Sequence, residues 1–203
     1  MRCNVISDLH LEFADLELPG GDVLILGGDV CEAKNIKLSE YNRDLVTSDR
    51  ARRPDRYARF FIEECAKYRK VIYIMGNHEH YHGDFATSGN KLKSLLESNM
   101  LSNVYLLDKE TKKIDDVTFV GGTLWTDMNR EDPLTLFHIS RMMNDFRCVE
   151  NSNRMIERKV QIYELNPDWT EDGKIVCAHN SFADFIDGQF FNIVLDYING
   201  KKL

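Results

Sequence analysis

The stretch KVIYIMGNHEHYHG, residues 70–83, joins an apolar run to a polar segment that holds three of the six histidines of the chain. The apolar run is typical of a buried strand, and Gly76 marks the point where that strand is expected to end. His78, His80 and His82 occupy alternate positions, which suggests a three-histidine metal clamp on one strand face. Because the strand is expected to stop at Gly76, the three need not share a face. A polar loop that belongs to a larger site is therefore the favoured interpretation.

Three more apolar runs end in the same way. CNVIS (3–7) leads into Ser7-Asp8-Leu9-His10, DVLILGGD (22–29) ends in Gly28-Asp29, and KIVCAH (174–179) ends in His179. In open α/β sheets, ligands bind beyond the carboxyl ends of the strands. Polar residues at four separate strand ends therefore predict one shared site.

Further strands and helices are predicted from the spacing of apolar residues. NVYLL (103–107) and DVTFVGGTLW (116–125) predict strands, the second after a turn near Asp115–Asp116. Helices are predicted at RYARFFIEECAKYR (56–69), NKLKSLLESNM (90–100), DPLTLFHISRMMNDF (132–146) and NRMIERKVQIYEL (153–165). Strands that alternate with helices predict an α/β layered fold, and the length predicts a single domain over residues 1–203.

The composition limits the classes of partner and compartment. With 43% hydrophobic residues, 29% charged residues and a net charge of -7, the chain is globular and acidic. No long basic run is present, so nucleic acid is considered only as a substrate. Five scattered cysteines without a CxxC pair favour a reducing compartment, and we expect the cytoplasm. No signal peptide and no membrane span are predicted, and the oligomeric state stays open.

The polar residues at the strand ends form a donor set that suits metals. Asp8 and His10 are two residues apart, so an extended backbone would point both side chains the same way. Carboxylates, imidazole and the amide oxygen of Asn77 suit Mn, Fe, Zn or Ni. A carboxylate such as Asp29 can bridge two ions, and such a pair can activate a water and orient a phosphate. The donor set therefore predicts a site for divalent transition metals, in which a bridging carboxylate would allow two ions.

Three of these motifs together resemble a known family. Asp8-x-His10, Gly28-Asp29 and Gly76-Asn77-His78-Glu79 resemble the first three motifs of the calcineurin-like metallophosphoesterases. GGTLWTD (121–127) and MNDFR (143–147) are similar to segments of small bacterial and phage members. The resemblance implies an α/β fold of two packed mixed β-sheets flanked by helices. It also implies a dinuclear metal centre that hydrolyses a phosphomonoester or phosphodiester substrate.

The resemblance assigns a role to each matched residue. Asp8 and His10 would hold the first metal, and Asp29 would bridge the two metals. Asn77 would hold the second metal and touch the phosphate of the substrate. His78 would be the catalytic histidine, which steadies the transition state or protonates the leaving oxygen. IVCAHN resembles the fourth motif, which makes His179 a ligand of the second metal.

The chain departs from the family pattern after this point. The final Gly-His-x-His motif has no counterpart in the 203 residues. An alternative alignment places Ala178-His179-Asn180-Ser181 on it and leaves the fourth motif unfilled. The chain also ends early for the family, so the second sheet is expected to lack its last strands.

Three interpretations of this departure stay open. The chain is an active metal-dependent phosphoesterase in which water, His82, His138 or another subunit replaces the missing ligands. Alternatively, it is a catalytically degenerate member that serves as a binding or scaffold protein. In the third interpretation, it is the truncated product of a gene for an active enzyme.

Overall fold

The computed structural model of the chain describes residues 1–46 and 52–152. The sequence-based predictions of a helix at 153–165, a strand at 174–179 and a metal ligand at His179 lie outside these residues. The chain divides into two compact units, the first made of residues 1–83 and 87–123 and the second of residues 84–86 and 124 onward. The single domain expected over the whole length stays a prediction.

In the described residues, the first unit is built on a parallel sheet of four strands in the order β1-β2-β3-β4. Its strands are β1 (Cys3–Ile6), β2 (Gly21–Leu26), β3 (Tyr68–Tyr73) and β4 (Val104–Leu106). All four strands were predicted, but the first three end before the polar residues that follow them. Because the strands are parallel, their carboxyl ends lie along one edge of the sheet, where the predicted site residues begin.

Alternate residues of the sheet face two different layers. On one face, Leu24 and Tyr73 belong to a core with helix residues such as Phe61 and Leu92. On the other face, Val23 and Ile72 pack with Ile114 and Phe119. Among the described strands, β1 lies at an edge of the sheet, and its Val5 is 67% exposed, so the expectation of a buried strand is wrong here.

The helical layer of the first unit differs in detail from the predicted helices. The predicted helix at 56–69 begins as α2 (Arg53–Arg59), continues as a π-helical turn (Phe60–Glu64) and ends in a 3-10 turn (Cys65–Lys67). The predicted helix at 90–100 is longer, α3 (Phe85–Ser98). The connections contain a short helix, α1 (Arg43–Val46). They also contain 3-10 turns at Ala33–Asn35, Leu38–Glu40 and His78–His80.

An antiparallel hairpin forms the second sheet. It consists of β5 (Glu110–Ile114) and β6 (Val117–Gly121), joined by a turn in which Asp115 has a φ of 53°. The turn was predicted, but β5 was not, because its sequence ETKKI is mostly charged and only Ile114 is buried. The packing of this hairpin on the parallel sheet gives the expected α/β arrangement of two sheets with helices.

The second unit is helical in its described part. It contains a left-handed turn α4 (Met128–Glu131), then α5 (Pro133–Met142) and α6 (Asp145–Cys148). Asp132 caps α5, because its carboxylate accepts a hydrogen bond of 2.8 Å from the backbone N–H of Thr135. The predicted helix at 132–146 is thus confirmed from Pro133 to Met142, where α5 ends before α6 begins at Asp145. Within the described ranges, no helix has the length and apolar character needed to cross a bilayer.

Candidate metal centre

Three predicted metal ligands from two strand ends meet in the first unit. Ligand atoms of Asp8, His10 and Asp29 all lie within 4.8 Å of one another. The segments after β1 and β2 stay hydrogen-bonded beyond the sheet, because the N–H of Asp8 donates to the carbonyl of Gly28 (3.0 Å). The N–H of His10 likewise donates to the carbonyl of Asp29 (2.9 Å). This pairing brings the two aspartates and the histidine to one place.

The backbone at these three residues is left-handed. Their φ angles are 55° at Asp8, 44° at His10 and 52° at Asp29. Such angles are uncommon for residues other than glycine and cost on the order of 1–3 kcal/mol each. The expectation that an extended backbone aligns Asp8 with His10 is therefore wrong, since left-handed turns bring the two side chains together instead.

A buried carboxylate, Glu79, joins the ends of β2 and β3. It is 0% exposed and accepts hydrogen bonds from the backbone N–H groups of Asp29 (3.0 Å), Val30 (2.7 Å) and Gly76 (2.6 Å). The hydroxyl of Tyr73 donates to it as well, at 2.8 Å. Burial raises the pKa of Glu79, hydrogen bonds lower it in part, and the result is above its ordinary value. Glu79 had no role in the sequence-based assignment, and here it holds the backbone of the proposed bridging ligand.

Two glycines allow the same two strand ends to approach. Gly28 has a φ of 99°, and a Cβ atom there would lie 2.7 Å from the backbone nitrogen of Gly76. A Cβ atom on Gly76 would overlap the carboxylate of Asp29. Two residues after Gly76, the backbone N–H of His78 donates to Oδ1 of Asp29 at 2.9 Å. The Asp29 carboxylate is thus held over the Gly76–His78 backbone.

Glu12 is a site residue to which the sequence-based assignment gave no role. Its Oε1 lies 2.9 Å from Nδ1 of His78 and 3.1 Å from Nδ1 of His10, and its side chain is 3% exposed. Its Oε2 is buried and has no hydrogen-bond partner among the described residues. Burial raises the pKa of Glu12, but hydrogen bonds from its own backbone, His10 and His78 outweigh this and leave the pKa below its ordinary value. The only sequence signal was an acid two residues after His10.

Asn77 and Tyr81 lie beside the catalytic histidine candidate. The amide nitrogen of Asn77 is 3.4 Å from the hydroxyl of Tyr81. The ring of Tyr81 stacks on that of His78, with 4.2 Å between the centroids and 19° between the planes. Asn77 directly precedes the residue whose N–H binds Asp29.

The three alternating histidines occupy three different environments. His78 contacts Glu12, whereas His80 is buried, and its burial lowers its pKa to about 4. The side chain of His82 is 53% exposed, with Nε2 3.6 Å from a carboxylate oxygen of Glu32. The three-histidine clamp is therefore wrong. His138, the other residue considered as a replacement ligand, is exposed on α5.

The residues present fit a divalent transition metal. Two carboxylates and one imidazole form the mixed oxygen and nitrogen set that such ions prefer. Nδ1 of His10 lies 3.1 Å from Oε1 of Glu12, so Nε2 is the ring nitrogen left to face a metal beside Asp8 and Asp29, and metal-binding histidines usually have their other nitrogen bonded to a carboxylate, a carbonyl or a water. The ligands expected for a second metal are Asp29, Asn77 and His179, the last of which lies outside the described residues.

Known proteins provide an independent comparison. A family model described as calcineurin-like phosphoesterase matches residues 1–196. The chain is 27% identical over 175 residues to a protein named "Uncharacterized protein L509" from Acanthamoeba polyphaga mimivirus. The match covers 82% of this chain and 58% of the viral protein, so the chain spans somewhat over half the length of that relative. No solved structure gives a significant match.

Proposed function

The chain belongs to the calcineurin-like phosphoesterase family, and from this we propose that it is a metal-dependent hydrolase of phosphomonoesters or phosphodiesters. One observation carries the proposal. Ligand atoms of Asp8, His10 and Asp29 lie within 4.8 Å of one another, and the N–H of His78 binds the carboxylate of Asp29. A shared fold would not suffice, because function depends on the site.

Each residue has a role in the proposed centre. Asp8 and His10 would hold the first metal, Asp29 would hold both, and Asn77 and His179 would hold the second. When bound, two divalent ions supply positive charge that polarises the phosphate and lowers the pKa of an attacking water. The metals are expected to be Mn, Fe, Zn or Ni, because the donors mix oxygen with nitrogen.

His78 is the proposed general acid. Its Nδ1 is 2.9 Å from Oε1 of Glu12, which leaves Nε2 to face the substrate, and His78 protonated on both nitrogens would donate the Nε2 proton to the leaving oxygen. Tyr81 stacks on the ring and restricts its rotation. The side-chain amide of Asn77, the residue just before His78, would bind a phosphate oxygen of the substrate.

The cytoplasm is the proposed location. The four cysteines in the described part of the chain are all free thiols, which supports a reducing compartment. The proposed partner is a phosphate ester, and nucleic acid enters only as one such ester.

The test uses the purified full chain. We expect it to bind Mn²⁺ and to hydrolyse bis-p-nitrophenyl phosphate or p-nitrophenyl phosphate in a Mn²⁺-dependent way. Asp29→Ala and His78→Ala should abolish turnover, whereas Arg69→Ala, which removes an exposed ion pair with Asp115, should not. If the chain bound no metal and showed no turnover with Mn, Fe, Zn or Ni, the proposal would be contradicted and the binding or scaffold interpretation would be favoured.

A further inference from the structure

We propose that Glu12 is a positioning residue that fixes the tautomer and orientation of both His10 and His78. The inference rests on the proposed hydrolase function for its catalytic meaning. The nitrogen that carries the proton in each histidine ring can, however, be measured whether or not the chain is a hydrolase. A single carboxylate oxygen would thereby prepare both a metal ligand and the proposed general acid.

The hydrogen-bond geometry sets the tautomers. Oε1 of Glu12 lies 3.1 Å from Nδ1 of His10 and 2.9 Å from Nδ1 of His78. An ionised carboxylate can only accept hydrogen bonds, so both Nδ1 atoms must carry protons. A neutral imidazole has one N–H, and its lone pair is then on Nε2. Nε2 of His10 is therefore available to a metal beside Asp8 and Asp29, and the lone pair on Nε2 of His78 is available to take up the proton that the general acid would donate to the leaving oxygen.

Glu12 is held firmly enough to act in this way. Its side chain is 3% exposed, and the segment that carries it is anchored on both sides. Arg56 of α2 donates from Nε to the carbonyl of Leu11 (2.8 Å) and from Nη2 to the carbonyl of Glu12 (2.5 Å). The N–H of Leu11 donates to the carbonyl of Val30 at 3.1 Å. These contacts hold the backbone from which the carboxylate projects, and the burial of the side chain restricts its rotation.

The two histidines are also coupled to each other. Their rings meet edge to face, with 4.3 Å between the centroids and 78° between the planes. Rotation of either ring would remove its hydrogen bond to Glu12 and disturb the other ring. The three side chains of Glu12, His10 and His78 thus form one unit.

Direct metal binding by Glu12 is the competing role. Atoms of His10, Glu12 and His78 also lie within 4.8 Å of one another, so they are themselves a group that could hold an ion. In that case, Nδ1 of His10 and His78 would face the metal. The two roles therefore differ in which nitrogen is protonated and which one binds metal.

The first experiment measures the tautomers in the wild-type chain. Long-range ¹H–¹⁵N correlation spectra of ¹⁵N-histidine-labelled protein would be recorded without metal at about pH 8, where an ordinary histidine is neutral. We expect the Nδ1–H form for His10 and His78. On addition of Zn²⁺, Nε2 of His10 should shift while its Nδ1 keeps the proton. An Nε2–H form of either ring, or Zn²⁺ binding through Nδ1, would overturn the proposal.

The second experiment removes the acceptor. In Glu12→Leu, both rings should lose the fixed Nδ1–H form, and the affinity for Zn²⁺ should fall about 10–100-fold. Glu12→Gln keeps an accepting oxygen, so it should retain the Nδ1–H form. Glu63→Gln is the control and should match the wild type, because the Glu63 carboxylate pairs with Tyr41 and Arg43 and not with either histidine.

The outcomes separate the two proposals. A folded Glu12→Leu variant with unchanged tautomers and Zn²⁺ affinity would overturn the positioning role, whatever the wild type hydrolyses. Wild-type protein that shows the Nδ1–H forms but no turnover would instead contradict the hydrolase. If Glu12→Leu does not fold, the wild-type and Glu12→Gln spectra still decide.

Discussion

The backbone N–H of His78 lies 2.9 Å from Oδ1 of Asp29, so the proposed general acid is attached to the proposed bridging ligand. The contact links the segments that follow β3 and β2. Glu79, one residue further on, binds the N–H of Asp29 in return. Changes at either strand end should therefore affect both metal binding and proton donation.

Asp29→Asn should remove metal binding and leave the fold of the metal-free protein unchanged. Wild-type protein should be stabilised by Mn²⁺, by about 2.7 kcal/mol when the free ion is at about 100 times its dissociation constant. The variant should show no such gain, and a chelator should reduce the wild type to the same melting temperature. Thermal unfolding with and without Mn²⁺ measures this. An equal gain in the variant would show that Asp29 is not a ligand.

Asp8→Asn should weaken metal binding more than His82→Ala. Asp8 lies in the ligand group with His10 and Asp29, whereas His82 lies near Glu32 and is half exposed. Titration calorimetry with Mn²⁺ gives the two affinities. The opposite ranking would show that His82 replaces a missing ligand and that the motif assignment is wrong.

Gly76→Ala should destabilise the fold and reduce turnover together. The added Cβ would overlap the Asp29 carboxylate, and such overpacking costs about 1–3 kcal/mol. Gly89→Ala is the matched control, because Gly89 lies inside α3 and the nearest atom to its added Cβ would be the flexible end of Met75, at 3.0 Å. We expect the control to change stability by no more than about 1 kcal/mol. Urea unfolding and hydrolysis assays would be compared, and full turnover in Gly76→Ala would contradict the proposed strand-end geometry.

Glu79→Gln should destabilise the protein strongly. The amide replaces one accepting oxygen by a donor, which would then face backbone N–H groups at the end of β2 or β3. Loss of hydrogen bonds to a buried charged group costs about 1.5–3 kcal/mol each. Urea unfolding at neutral pH measures the loss. A change of less than about 1 kcal/mol would mean that Glu79 is not the link between these strand ends.

Stability should fall on acidification because of His80. Burial lowers the pKa of this histidine to about 4, below the ordinary 6.5. The unfolded chain therefore binds more protons between those values, and folding stability is lost as the pH falls from about 6.5 to 4. The loss should be about 1–3 kcal/mol, measured by urea unfolding across that range. His80→Gln should reduce this pH dependence, whereas the exposed His138→Gln should retain it.

The sequence was informative where the signal is local. Apolar runs identified the four described strands of the parallel sheet, although Val5 of β1 is exposed. The run ETKKI gave no such signal, because β5 buries little more than Ile114 and owes its place to pairing with β6. The first three strands end earlier than the apolar runs predict, at Ile6, Leu26 and Tyr73. A strand ends where its backbone leaves the neighbouring strand, and the apolar pattern does not show that point.

The sequence by itself determined the parallel strands and the order of polar residues that follow them. It did not determine that Asp8 and His10 meet through left-handed turns, because backbone strain of that kind is sustained only by surrounding hydrogen bonds. Nor did it show Glu12, which contacts a histidine 66 positions away. Only the tertiary structure decided those contacts, because they depend on how separate strand ends are brought to one edge of the sheet.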